Sequence, residues 1–458
     1  MIKPSVIKEL QSVAGKAHVF TTGEMRKAYS YDSTTNWFSE PEAVIFPDSV
    51  EETSKIMAIA NRERIPVTPR GGGTNVSGGS IPIQGGIVLC MTRMNRILAI
   101  STENQTAVVE PGLILMDFNT SLGREGFFFP PDPQSFYGAT MGGIIAENAG
   151  GPSCLKYGVT NQYVLGLEVV LPTGQIVHTG GPIMRSIGYD LTMLFVGSEG
   201  TLGIVTKASL KINRLPPSRK TIVAVYDNVV VAGENVSRIL EEGIIPYKIE
   251  LLDNWIIKSI EQMTPLGLPT YADAVLLFEV EGIPEAVETQ AEMIAKIAVR
   301  SGAVEVRIAK DIEDGNKYWL ARRAGFAGTT SRARTIFAED VVVPRNELPR
   351  LISTCREIAK QYGVQIVLLG HAGDGNLHPT ILTDDTDREH YRRALEALDA
   401  LMASAVELGG VLSGEHGIGL EKKKYFMETS DPVVIKLMKD VKEIFDPNNI
   451  MNPGKIWN

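Results

Sequence analysis

The tetrapeptide Leu215-Pro216-Pro217-Ser218 constrains this chain more than any other short stretch, because consecutive prolines can continue neither a helix nor the interior of a sheet. It separates two parts of different grain. Before it, strands and helices mix, with long glycine-rich connections. After it, strands alternate with amphipathic helices. At 458 residues and 44% apolar composition, the chain exceeds what one hydrophobic core supports. The reading is a first domain over residues 1–215, a second over 216–415 and a C-terminal segment over 416–458.

Ser49 followed by Glu52 is a capping box, opening a helix whose apolar face is Ile56, Met57, Ile59 and Ala60 and which stops at Pro66. Strands are predicted at 65–68, 87–91, 106–110 and 167–171, the last turning through Pro172-Thr173-Gly174 into Gln175-Ile176-Val177. In the second part, strands near 221–226, 274–281 and 304–308 alternate with helices near 229–242 and 284–300. This pattern predicts an α+β arrangement, a sheet covered by helices on one face, of the ferredoxin-like kind. Helices near 346–362 and 386–408 follow. The C-terminal forty residues, which include FDPNNIMNPGKIWN, are too rich in proline and asparagine for an ordinary terminal helix and predict an ordered docked tail.

Between those two later helices lies HAGDGNLH, from His371 to His378. Ala372-Gly373-Asp374-Gly375-Asn376 is dense in residues that tolerate positive φ, so the run Ile366 to Leu369 turns back tightly into a strand from Leu377 to Leu382. That sets His371 beside His378. With Glu415 and His416 inside SGEHGIG, three of the six histidines are gathered with a carboxylate. Two imidazoles and a carboxylate suit zinc, manganese or ferrous iron with open coordination positions, and one further histidine is left to move a proton. A turn with solvated histidines is the plain alternative. Gly414, Gly417 and Gly419 weigh against it, because glycines let a backbone approach something bulky.

A net charge of −9 argues against a nucleic-acid-binding surface and against anionic lipid. No apolar run is long enough to span a bilayer and the N-terminus lacks a signal-peptide core, so the expected location is cytoplasmic. Cys90, Cys154 and Cys355 supply neither a disulfide framework nor iron-sulfur ligands. Any phosphate must therefore be held by local geometry. PRGGGTNVSGG, from Pro69 to Gly79, has five glycines and three small polar residues in eleven positions. Such a loop can turn successive N–H groups into an anion nest without positive charge. It lacks the third glycine of the dinucleotide fingerprint, and no GxxxxGK followed by Ser or Thr exists in the chain. Two further glycine-rich runs, Thr140 to Gly158 and Gly197 to Ile204, lie in the same part. Three of them suggest a ligand long enough to touch all, such as a dinucleotide between two lobes.

The ordered set PRGGGTNVSGG, PPDPQS, TMGGIIAENAGG, GSEGTLGIVT, HAGDGNLH, SGEHGIG and NPGKI resembles the FAD-linked D-2-hydroxyacid dehydrogenases, which include the glycolate oxidase flavoprotein subunit and D-lactate dehydrogenases. The resemblance covers nearly the whole length. It implies a two-lobed FAD-binding domain of the vanillyl-alcohol-oxidase type, a ferredoxin-like substrate domain and a C-terminal segment returning to the FAD domain. Carried over residue by residue, it puts the pyrophosphate on Arg70, Gly71, Gly72, Gly73, Thr74, Asn75 and Gly78. Pro111, Ser135, Thr140, Gly142, Gly143, Ala146, Asn148, Gly200 and Ile204 line the rest of the cofactor, and Asn452 approaches the isoalloxazine. Some relatives attach flavin through a histidine in the first loop; Thr74 stands there, which implies non-covalent FAD.

The resemblance further implies oxidation of a small D-2-hydroxy acid, with His416 as the base and His371, His378 and Glu415 as ligands of a divalent metal. Arg322, in the Trp319-x-x-Arg322 segment, would bind the substrate carboxylate, with Arg323, Arg332 and Arg334 as competitors for that role. The segment Ala338 to Pro344 lacks the basic residue of hydroxyglutarate enzymes, which favours lactate or glycolate. Electrons would pass to a quinone or a partner, either an iron-sulfur subunit or an electron-transferring flavoprotein, through which the protein could sit at a membrane. The alternatives are a D-2-hydroxyglutarate-type dehydrogenase or another alcohol oxidase of the same fold, a metallohydrolase, and a non-catalytic electron-transfer module.

Overall fold

In the computed structural model, which describes residues 1–34, 36–183 and 188–457, the first long helix begins where its cap does. Ser49 accepts from Glu52 N at 3.2 Å, and the Glu52 carboxylate accepts from Asp48 N at 2.9 Å, one residue before the cap. The helix Val50–Glu63 buries Ile56, Met57, Ile59 and Ala60 and ends on Arg64 in the left-handed region, ahead of Pro66. Its apolar face packs against Leu10, Ile45, Ile87 and Leu89, all fully buried.

This core belongs to the first of two compact units, made of Met1–Ala149, Val159–Leu215 and the chain from Glu415 onward. The unit has a sheet in which Val67–Arg70, Ile87–Cys90 and Ala43–Ile45 run parallel and Val19–Phe20 closes one edge antiparallel. A second, antiparallel sheet has the order Ile97–Ser101, Thr106–Val109, Ile204–Lys211, Val164–Val170, Ile176–Gly180. The last pair is joined by the expected turn, closed by Gly174 N donating to Leu171 O at 2.8 Å.

The C-terminal forty residues differ in part from expectation. Pro432–Phe445 is a helix, because the proline- and asparagine-rich text starts only at Asp446. Beyond it the chain lies against the parallel sheet, with Val67 N donating to Ile450 O and Asn452 N to Val67 O, each at 2.7 Å. Asp446 fixes this return. Its buried carboxylate accepts from Ile450 N at 3.1 Å and Met451 N at 2.7 Å and pairs with Lys442, whose Nζ also donates to Thr201 O and Met451 O.

The second unit, Gly150–Gly158 and Pro216–Gly414, is built on one antiparallel sheet. Its strand order is Glu305–Ile308, Ser218–Tyr226, Ala274–Gly282, Lys248–Asp253, Gln365–His371, Asn376–Thr383, Thr335–Ala338. The first four strands, with helices Val229–Glu241 and Pro284–Arg300, form the βαββαβ ferredoxin-like pattern. Helices cover both faces, where one was expected. Val223, Val225, Leu252 and Leu369 pack against Ile256, Ile260 and Trp319 from helices Asn254–Met263 and Ile312–Thr330. The alternate residues point to the other face, where helices Val229–Glu241, Pro284–Arg300 and Leu348–Tyr362 pack on one another. Ile312–Thr330 has no apolar stripe in its sequence. It approaches its neighbours through small residues, Gly325 against Leu369 and Ile256 and Gly328 against Ser259. Among the described residues no helix is long and apolar enough to cross a membrane.

Removing one partner of a buried ion pair strands the other charge. Lys442→Ala should therefore cost about 3–5 kcal/mol in urea denaturation of the FAD-replete protein; a loss under about 1 kcal/mol would show that the Asp446 knot does not hold the C-terminal return.

Candidate functional site

Strand register places the two-histidine hairpin. Gln365–His371 and Asn376–Thr383 pair antiparallel with His371 opposite Asn376 and Leu369 opposite His378, so the two histidines are diagonal neighbours on one face. Their ring centroids are 5.1 Å apart. Each ring has an acceptor at Nδ1, the Glu250 carboxylate at 2.7 Å for His371 and the Glu339 carbonyl at 3.2 Å for His378. A proton on Nδ1 leaves the lone pair on Nε2. This is the second-sphere arrangement typical of histidines that ligate a metal, so the donor set fits a divalent ion.

Glu250 lies in the central strand Lys248–Asp253, directly across from His371. It is fully buried and also accepts from Arg322 Nε. Burial pushes its carboxyl up, but the charges and hydrogen bonds of Arg322 and His371 more than offset this and hold it below the usual carboxylate range. Arg322 itself is buried, and its Nη2 has no hydrogen-bond partner among the described residues. Of its three competitors, Arg323, Arg332 and Arg334 are all exposed; Arg332 lies over the Trp255 ring, and Arg334 pairs with Asp385 at 2.7 Å. Asp340 is the other fully buried carboxylate of this unit's site, accepting from Ser413 Oγ at 2.8 Å and Gly414 N at 2.9 Å. The residue that follows Gly414 in the chain is Glu415.

In the first unit the three glycine-rich loops interlock. A Cβ on Gly71 would meet Thr140 Oγ1 at 2.0 Å, and one on Gly142 would meet Pro111 Cβ at 2.7 Å. Thr140 caps the helix Met141–Glu147, accepting from Gly143 N at 3.4 Å, and Asn148 ends it in the left-handed region while its Oδ1 accepts from Asn161 N. Glu199 N donates to Ala146 O at 2.8 Å, which ties the loop holding Gly200 and leading to Ile204 onto that helix. Ser135 O accepts from Gly138 N, and Gly138 lies against Gly72 and Thr74. Asn75 donates to Asp32 at 2.7 Å, Gly78 abuts Leu420, and Asn452 Nδ2 donates to Gly79 O and Glu199 O. The Arg70 guanidinium turns inward, donating to Tyr31 O at 2.6 Å and lying 5.2 Å from the Tyr29 ring centroid.

The same unit holds the segment after His416. Glu199 accepts from Ile418 N and Gly419 N, each at 2.7 Å, and Leu420 N donates to Ser77 O. Glu147 is half-buried close by with its Oε2 enclosed, and a Cβ on Gly417 would lie 2.4 Å from that oxygen. Burial and the charge of Glu199 push the Glu147 carboxyl well up; burial raises Glu199 too, and its two backbone N–H donors offset part of that rise. The sequence reading missed Glu250, Asp340 and the role of Glu199. Glu199 sits inside GSEGTLGIVT, but its partners Ile418 and Gly419 lie more than two hundred residues away.

A model of the FAD-binding domain matches residues 41–180, and one of the C-terminal domain of FAD linked oxidases matches residues 215–456. The chain is 43% identical to glycolate oxidase subunit GlcD of Bacillus subtilis strain 168, over 100% of this chain and 97% of that one. It is 33% identical to a D-lactate dehydrogenase of Anaerostipes hadrus, over 99% and 98%. Among solved structures, p-cresol methylhydroxylase shares the fold with a TM-score of 0.83 at 19% identity, over 99% of this chain and 96% of that one. The matched domains, the whole-length relatives and the interlocked glycine loops agree, and this chain belongs to the FAD-linked oxidases.

Proposed function

We propose that this protein oxidises a small D-2-hydroxy acid, D-lactate or glycolate, to the 2-oxo acid, with His416 as base, Arg322 as carboxylate anchor and His371, His378 and Glu415 as ligands of a zinc, manganese or ferrous ion. The observation that carries the reading is the pair His371 and His378, each tied at Nδ1, beside a buried arginine one of whose nitrogens has no hydrogen-bond partner among the described residues. The names of the two relatives, one for glycolate and one for D-lactate, support this substrate class.

Oxidising such an acid removes a hydroxyl proton and a hydride from the adjacent carbon. Bound FAD supplies the hydride acceptor, and a divalent ion supplies Lewis-acid polarisation that lowers the hydroxyl pKa by several units. The chain's own residues do the rest. Arg322 offers a planar, permanently charged donor to the substrate carboxylate. His416 takes the hydroxyl proton on a ring nitrogen, the general-base role that imidazole most often fills. The glycine loop of residues 70–78 holds the cofactor pyrophosphate by backbone N–H groups, the loop of residues 140–148 lines the rest of the cofactor, and Thr74 in place of a histidine keeps the flavin dissociable. Electrons then leave to a quinone or a partner protein, an iron-sulfur subunit or an electron-transferring flavoprotein. The naming of the Bacillus relative as a subunit supports a partner.

The test is anaerobic flavin reduction across a panel of D- and L-2-hydroxy acids. His416→Ala should keep its yellow flavin and slow reduction by D-lactate or glycolate about 10²–10⁴-fold; parental rates would remove His416 from the chemistry. Chelator treatment should slow the same reduction by roughly 100-fold, with recovery on adding zinc, manganese or ferrous iron; an unaffected rate speaks for a metal-free reaction. Arg322→Lys keeps the charge on Glu250 but loses the planar fork, so KM should rise about tenfold or more. An unchanged KM would hand the carboxylate to another residue.

A further inference from the structure

Glu250 and Asp253 are fully buried acids of one strand, used in different ways. Asp253 accepts chiefly from backbone, from Ile256 N at 3.0 Å, capping the next helix, and from Leu368 N at 2.9 Å, with Arg356 Nη2 a longer third partner at 3.3 Å. It is an architectural residue. The bonds of Glu250 go instead to two side chains, one on each oxygen: Oε1 takes His371 Nδ1 and Oε2 takes Arg322 Nε. His371 arrives by strand register and Arg322 from the helix Ile312–Thr330, 121 and 72 residues away in sequence. A buried ionic group of this kind is rarely needed for stability, since well-packed apolar side chains of the same volume do as well or better.

We propose that Glu250 is a positioning residue that sets the metal ligand His371 and the carboxylate anchor Arg322 together, so that one rigid carboxylate aligns both groups that hold the substrate. The inference rests on the function proposed above. At His371 the bond fixes the tautomer and ring plane and makes Nε2 a stronger donor to a cation. At Arg322 it occupies Nε and orients the guanidinium plane, while Nη2 is buried with no hydrogen-bond partner among the described residues. Neither group can rotate without disturbing the oxygen beside the one that holds the other.

The test compares Glu250→Gln with the native protein, both FAD-replete and metal-stripped, by zinc affinity in chelator competition and by the KM and kcat for whichever hydroxy acid reduces the flavin. Glutamine keeps the volume but loses the charge and offers only one acceptor oxygen. Zinc affinity should fall about 10–100-fold and KM rise about tenfold, with flavin absorbance retained. A purely supporting role would lower stability and leave zinc affinity and KM at native values, which overturns the inference alone. Native protein that holds no zinc and whose flavin no hydroxy acid reduces overturns the proposed function and this inference together. Should the variant not fold, nitrogen-15 histidine NMR of the metal-stripped native protein decides, with the His371 signal assigned by its absence from His371→Ala. The Nδ1–H tautomer supports the inference and the Nε2–H tautomer overturns it.

Discussion

Two buried carboxylates hold the two ends of one short segment, and the candidate chemistry depends on them. Asp340 takes Ser413 Oγ and Gly414 N in the second unit; Glu199 takes Ile418 N and Gly419 N in the first. Between these anchors stand Glu415, His416 and Gly417. A loop with glycine at 414, 417 and 419 would otherwise sample many backbone states, and each residue fixed costs about 1–2 kcal/mol of entropy. Charge-assisted bonds to backbone N–H groups offset that cost without occupying the side chains of Glu415 and His416.

The parts of the molecule legible in the sequence are those whose cause is local. The Ser49 cap, the Pro172-Thr173-Gly174 turn and the Gly-rich hairpin that sets His371 beside His378 all act over a few residues, and each forms where read. The strand Lys248–Asp253 went unread for the opposite reason. Its polar residues alternate onto both faces, Lys248 and Glu250 on one and Asp253 on the other, which hides the apolar run of a central strand. Those polar residues are acceptable only because partners arrive from Arg322, His371, Arg356 and Leu368, all distant in sequence. The helix Ile312–Thr330 was hidden likewise, since apart from Trp319 its buried face is made of glycines and other small or polar residues. Tertiary pairing, not propensity, decides both elements.

The buried acids of the two units differ in what they do with charge. Glu250 is flanked by an arginine and a histidine and stays ionised despite complete burial. Enclosure of its carboxylate, with the charges of Glu199 and Asp32 beside it, pushes the Glu147 carboxyl well up. Burial raises the Glu199 carboxyl as well, and the N–H groups of Ile418 and Gly419 pull it partly back down. The pair's roles differ: Glu199 clamps the chain after His416 through two backbone N–H groups, and Glu147 fills the space beside Gly417.

That economy of charge extends to the glycine loops. The chain carries −9 net charge, and the one arginine within Pro69 to Gly79 directs its guanidinium inward to Tyr31 O and the Tyr29 ring. Burial lowers the pKa of Arg70, so the protein already bears the cost of desolvating that cation for architecture. An anion held by this loop must therefore be met by oriented peptide dipoles, whose strength depends on exact placement more than on charge count. Placement in turn comes from contact: Gly71 lies against Thr140 and Gly142 against Pro111, so close that even a methyl group at either position would force the loops apart. A loop that binds by geometry tolerates an acidic protein around it, and it cannot tolerate a side chain at its crossings.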